Sequence, residues 1–93
     1  MIIGVAIRFK GVMVCLPKPN RHHNCISYTI EELGLHPPIG GKFEDQGFYN
    51  SEGQYLNRFE AYDYACLIKQ EILGAVRVKG EDNKKYLRSE NLW

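Results

Sequence analysis

The chain opens on IIGVAIRF, a β-branched, apolar run, and VMVCL repeats that character two residues later. Both read as strands. Lys10-Gly11 lies between them, and Gly11 can supply the positive φ of a tight turn, so the pair forms a hairpin. Pro17 and Pro19 carry no amide hydrogen and end the ladder. The period then changes. Ile26, Ile30 and Leu33 recur at helical spacing behind Asn20, a good N-cap residue, and Gly34 suits a left-handed C-terminal cap. The spacing predicts a first helix over 21–33, with Arg21, His22 and His23 in its first turn.

LHPPIGGKFEDQ holds two prolines and two glycines and reads as a loop. GFYNSEGQYL reads as a second short hairpin around Ser51-Glu52-Gly53. One of its faces must pack inward. Either Phe48 and Tyr55 share that face and Tyr49 points out, or the reverse. Asn57 followed by Glu60 matches a capping box. Ala61, Tyr64, Ala65, Ile68 and Ile72 then follow at helical spacing, which predicts a second helix over 58–72 ended by Gly74. AVRVK alternates as a final strand, and GEDNKK is a charged turn. The tail YLRSENLW ends on Trp93, a large apolar group that needs a surface on its own domain or on a neighbouring subunit. The order is β-β-α-β-β-α-β. This is an α+β domain with an N-terminal β-hairpin, a helix, a second short β-hairpin, a helix, then a final strand and tail.

Composition narrows the function. Ninety-three residues make one domain, 1–93, and a hydrophobic fraction of 44% suits an ordinary globular core. The 12 basic and 11 acidic residues leave a net charge near +1, which does not suggest the basic face of a duplex-DNA binder. Three cysteines with no C-x-x-C pair argue against a disulfide framework or a zinc cluster. They read as small core residues of a reduced, cytosolic protein. The apolar opening is short and broken by Arg8, and no segment nears the roughly 20 apolar residues that span a bilayer. No membrane contact and no cofactor are expected.

Three stretches carry candidate chemistry. Arg21, His22 and His23 sit where a helix dipole favours acids, so three basic groups there work against the usual preference, by roughly a few tenths of a kcal/mol each if solvated. They make either a wet helix end or an anion site in which free amides and Arg21 grip phosphate. Metal binding ranks lower, because adjacent helical histidines diverge by about 100° and no other ligands cluster nearby. No nucleophile motif accompanies the histidines, so no catalytic residue is assigned. The second stretch is GFYNSEGQYLNR. Its aromatics are core or, where exposed beside Arg58, a platform for a nucleobase. NRHH and NRFE both open a predicted helix, and the two could converge on one anion. The third is the tail region, where Arg77, Lys79, Lys84, Lys85 and Arg88 interleave with Glu81, Asp82 and Glu90. This reads as a mixed, solvated surface, with Arg77 and Arg88 the candidates for ligand contact. PPIGGK is only half a P-loop, since no Ser or Thr follows Lys42.

The blocks AIRFKG, RHHN, QGFYNSEGQYLNRFEA and SENLW together resemble a family of small phage-encoded proteins, most specifically over residues 46–61. The group includes phage anti-Thoeris proteins, which sequester cyclic ADP-ribose immune signals. Some members resemble general cyclic-nucleotide sponges of the kind that counter Thoeris or CBASS defence. The resemblance implies binding without catalysis in the host-cell cytoplasm, and a homo-oligomer, either dimer or hexamer. Carried over by position, it implies that Arg21 and His23 meet phosphate, that Phe48 stacks on a base, and that Asn57 contacts ligand or holds the pocket. Beyond the second helix the chain offers only Arg77 and Arg88 to a further, oligomer-formed site.

The expectation is therefore a phage anti-defence protein that sequesters a cyclic nucleotide or cyclic ADP-ribose without cleaving it. Its candidate ligand-binding residues are Arg21, His22, His23, Phe48, Asn57, Arg58, Arg77 and Arg88. The alternatives are a protein-interaction module that inhibits a host factor and a small nucleotide hydrolase using His22 or His23. A nucleic-acid binder ranks behind these and would show steep salt dependence.

Overall fold

A computed structural model describes residues 1–9, 11–34 and 43–93. Lys10 of the first turn and most of the proline-glycine loop, including Lys42, lie outside the described residues. The α+β architecture is as expected from the sequence. Strands β1 (Ile2–Phe9), β2 (Val12–Pro17), β3 (Gln46–Asn50) and β4 (Tyr55–Asn57) form one antiparallel sheet in the order β2-β1-β3-β4. Helix α1 (His22–Glu31) follows β2, and helix α2 (Arg58–Leu67) follows β4. The expected final strand is in fact a hairpin of its own, β5 (Arg77–Lys79) paired with β6 (Lys84–Tyr86). Short 3-10 turns span Phe43–Asp45 and Ser89–Asn91.

Strand β1 is central and is buried on both faces. Val5 pairs with Leu16 on one side and Phe48 on the other, and Phe48 pairs with Leu56. Paired residues share a face, and this face packs with Cys25 of α1 and with Ala61 and Ala65 of α2 into one core. Phe48 and Tyr55 therefore do not share a face: Tyr49 pairs with Tyr55 on the opposite side. There the small residues Gly4 and Gly47 leave room for tyrosine rings. A Cβ on Gly4 would lie 2.3 Å from Tyr49 Cε1, and one on Gly47 would lie 2.6 Å from the Tyr55 hydroxyl. Arg8 completes that face, its guanidinium carbon 4.5 Å from the Tyr55 ring centre. Gly11 does take the positive φ that the first hairpin requires, +79°.

Both helices are shorter than their hydrophobic spacing predicts. The N-cap of α1 is Arg21 rather than Asn20, and the helix stops at Glu31. Asn20 instead closes the preceding turn, donating from Nδ2 to the Pro17 carbonyl at 2.7 Å. Helix α2 stops at Leu67, where Lys69 turns left-handed with φ 58°. The reason is a tertiary bond. The Gln70 side chain accepts from Ile2 N at 2.8 Å and donates to Ile2 O at 3.0 Å, fastening the chain to β1. Ile72 still packs against the core, from the irregular segment after the helix.

The tail docks on its own domain. Trp93 Nε1 donates to Asn20 O at 2.9 Å, and the indole lies edge-on to Phe48 with ring centres 6.3 Å apart. Asn91, almost wholly buried, donates from Nδ2 to Leu73 O at 2.7 Å and Ala75 O at 3.1 Å. The Trp93 bond brings the C-terminal tail against the start of α1, and the Asn91 bonds hold it to the segment after α2.

Candidate functional site

Three helical starts meet in one cleft. Arg21 caps α1, Arg58 is the first residue of α2, and Arg88 caps the Ser89–Asn91 turn. Their side chains, with His22, His23, Ser89 and Glu90, line a cleft of about 260 Å³. Two of the three starts share a local device. Asn24 Oδ1 accepts from Arg21 N at 2.7 Å, and Asn91 Oδ1 accepts from Arg88 N at 2.9 Å. An arginine side chain has no acceptor, so it cannot complete a capping box. In both segments the asparagine does the capping and the guanidinium is left for other work. At α2 the roles are conventional: Asn57 Oδ1 accepts from Glu60 N at 2.8 Å, and Glu60 Oε1 accepts from Asn57 N at 2.9 Å.

The guanidinium groups are only partly satisfied. Arg21 Nη1, Arg58 Nε and Arg88 Nε are each buried without a hydrogen-bond partner among the described residues. Arg58 is the most engaged of the three. Its Nη2 donates to Gln46 Oε1, and its guanidinium carbon sits 5.2 Å from the Phe43 ring centre. Burial pushes the Arg58 pKa down from its usual value, although an arginine stays charged at any physiological pH. A buried unpaired donor costs about 1–3 kcal/mol, and more when charged. Among the described residues no ion pair relieves the three arginines. Glu90 is the acidic residue on the cleft wall. An anion with several oxygens is the kind of group that clustered guanidinium donors bind.

His22 is not a cationic group here. It is 8% exposed, and its Nε2 lies 2.7 Å from Gly47 O. A carbonyl only accepts, so Nε2 carries the hydrogen and donates, which leaves Nδ1 as the acceptor. Burial, more than the nearby Arg58 charge, pulls the imidazole pKa down to about 4. The neutral ring also sits edge-on to Phe48 with centres 5.2 Å apart, so it fixes the cleft floor to the core. His23 is exposed at the rim.

The structure thus brings together Arg21, His22, His23, Arg58 and Arg88. It does not bring in the other three candidates. Phe48 is fully buried and cannot act as a stacking platform, because its faces are used by the core. Asn57 is occupied as the α2 cap and borders a different cleft. Arg77 lies on the exposed β5–β6 ladder opposite Tyr86, outside the arginine cleft. Ser89 and Glu90 line the cleft without having been singled out from the sequence. Their signal was available: RHHN and RSEN share the spacing Arg-x-x-Asn. Among the described residues no group of His, Cys, Asp and Glu is arranged to hold a metal ion, and no helix is long and apolar enough to cross a membrane.

Fold and site together define a small α+β domain with a polyarginine cleft formed by three helical starts. The model of the phage T4 y16D protein family matches residues 1–93, and the chain belongs to that family. The family name places the chain among phage proteins and assigns it no activity. No curated protein and no solved structure matches it.

Proposed function

We propose that this phage protein binds a small phosphorylated nucleotide signal, such as a cyclic nucleotide or cyclic ADP-ribose, and sequesters it intact as an anti-defence sponge. The observation that carries this reading is the convergence of Arg21, Arg58 and Arg88, each with a buried guanidinium nitrogen lacking a partner among the described residues, on one cleft. At about 260 Å³ the cleft lies just below the usual range for a drug-sized ligand. It suits a phosphate or pyrophosphate group better than a whole dinucleotide. A sponge requires tight, slowly released binding, and preorganised donors favour it.

Binding without turnover is part of the proposal. His22 holds its one proton in the bond to Gly47 and, with a pKa near 4, is a weak base at neutral pH. The deciding experiment incubates the protein with cyclic ADP-ribose isomers and cyclic dinucleotides and follows the shift in thermal midpoint. The bound fraction is then released by heat and identified by mass. Intact ligand supports sequestration. A cleaved product makes the protein an enzyme, and the absence of binding to any phosphorylated ligand removes the proposal.

A further inference from the structure

The burial of Phe48 leaves a nucleotide reading without its stacking platform, yet the structure holds another aromatic wall next to the arginine cleft. A second cleft of about 520 Å³ lies between α2 and the tip of the β5–β6 hairpin. Phe59 and Tyr62 supply its aromatic surface, and Asn83, Lys84 and Lys85 face them from the hairpin. Its volume falls within the range of small-molecule sites, and its two aromatic rings lie among polar and charged residues that include Asp63.

The two clefts flank one turn of helix. Arg58 faces the arginine cleft, whereas Asn57, Phe59 and Glu60 face the second. Successive helical side chains diverge by about 100°, so neighbouring residues can serve different clefts. The chain at the other wall is divided in the same way, with Lys84 and Lys85 of β6 on the second cleft and Arg88, beyond the strand, on the first. The Leu87 amide donates to Arg58 O at 3.1 Å and locks the two walls together.

The aromatic surfaces differ in how free they are. Phe43 is already covered, with Lys79 Nζ 3.8 Å from its ring centre, and Phe59 packs against Phe43 and Tyr86 with ring centres 5.4 and 6.1 Å away, which leaves Tyr62 the less engaged ring. Lys84 Nζ lies 5.8 Å from the Phe59 centre and Lys85 Nζ lies 5.7 Å from the Tyr62 centre, at the outer limit of a cation–π contact. Both lysines are exposed and can swing away at little cost. A planar base can therefore take their place against the rings, with Asn83 at hand for its polar edge.

Resting on the phosphate reading of the arginine cleft, we propose that the Phe59–Tyr62 cleft receives the nucleobase of a nucleotide whose phosphates bind Arg21, Arg58 and Arg88. Stacking on a protein aromatic ring strengthens binding by about tenfold or more.

The test is calorimetric titration with ADP, GDP, CDP and UDP against inorganic pyrophosphate, plus the four free nucleosides. Tyr62→Leu keeps an apolar helix former but removes the ring. Asn83→Gly keeps the positive φ of 53° at that turn and removes the carboxamide. The expected result is that at least one nucleoside diphosphate binds about tenfold more tightly than pyrophosphate. Tyr62→Leu should erase that gain while pyrophosphate binding is unchanged, and Asn83→Gly should reduce it. The inference is overturned if no diphosphate outperforms pyrophosphate, or if the gain survives both substitutions. If pyrophosphate itself does not bind, the arginine reading fails separately. The nucleosides then decide: binding that is lost in Tyr62→Leu upholds the base cleft, and no such binding removes it.

Discussion

The Trp93 indole donates a hydrogen bond to the carbonyl of Asn20, 2.9 Å away and 73 positions earlier in the chain. Asn20 immediately precedes Arg21, and Trp93 closes the segment that begins at Arg88. This one bond therefore ties two of the three arginine-bearing segments together. Trp93→Phe keeps an aromatic ring and loses the donor. It should lower stability by about 1 kcal/mol and weaken pyrophosphate binding severalfold, read by thermal melts and calorimetry. Lowered stability with unchanged binding would mean that the tail does not position Arg88.

Arg88→Met should separate stability from binding. The substitution removes a charge and a buried unpartnered nitrogen while keeping an unbranched apolar stem. Leaving such a donor unpaired costs about 1–3 kcal/mol, so the ligand-free variant should melt higher than the parent. Its affinity for pyrophosphate should fall about tenfold or more, because hydrogen bonds to charged groups are worth about 1.5–3 kcal/mol. A variant that melts lower and binds equally well would show that the arginine serves the fold alone.

Stability should fall with acid across the window set by His22. Its pKa is lowered from 6.5 to about 4 by burial. Between those values the unfolded chain takes up a proton that the folded chain refuses, so the unfolded state is favoured as pH drops. The contribution is complete above pH 6.5 and is lost progressively down to about pH 4, amounting to a few kcal/mol at most. Melting curves of the parent and of His22→Gln across this range should differ in slope, the variant being flatter. Parallel slopes would place the titration elsewhere.

Phe48→Leu distinguishes a core residue from a stacking platform. Phe48 is fully exposed to neighbours and not at all to solvent, with His22 and Trp93 both edge-on to it. The substitution should cost about 1–3 kcal/mol in a denaturant titration, between a conservative swap and full truncation to alanine. Nucleotide affinity under folding conditions should change far less than in Tyr62→Leu. The opposite ranking would return Phe48 to the binding site.

Much of the fold was written in local pattern. The β-branched runs, the turn at Gly11, the Asn57–Glu60 capping box and the apolar spacing of Ala61 and Ala65 all gave elements that the structure contains. Such signals are local, because strand period, turn geometry and capping depend on a few neighbouring residues. The helix ends were not legible. Ile68 and Ile72 continue the α2 spacing, but the bonds from Gln70 to Ile2, across 68 positions, end the helix before them. Nor did alternation along GFYNSEGQYL say which residues faced inward. That depended on the β3–β4 register, which pairs Phe48 with Leu56 and Tyr49 with Tyr55.

The sequence by itself determined the α+β class and the positions of Arg21 and Arg58 in the opening turns of the two helices, since each follows from residues within one turn, whereas the turn that Arg88 caps emerged only with the structure. Only the tertiary structure decided that the three starts share a cleft, that His22 is neutral within it, and that Phe48 is lost to the core. Those outcomes depend on contacts such as His22 to Gly47 and Trp93 to Asn20, between residues far apart in the chain. Charge in a sequence is only a count. Whether it becomes a binding site depends on how burial and convergence deny each charge its own solvent.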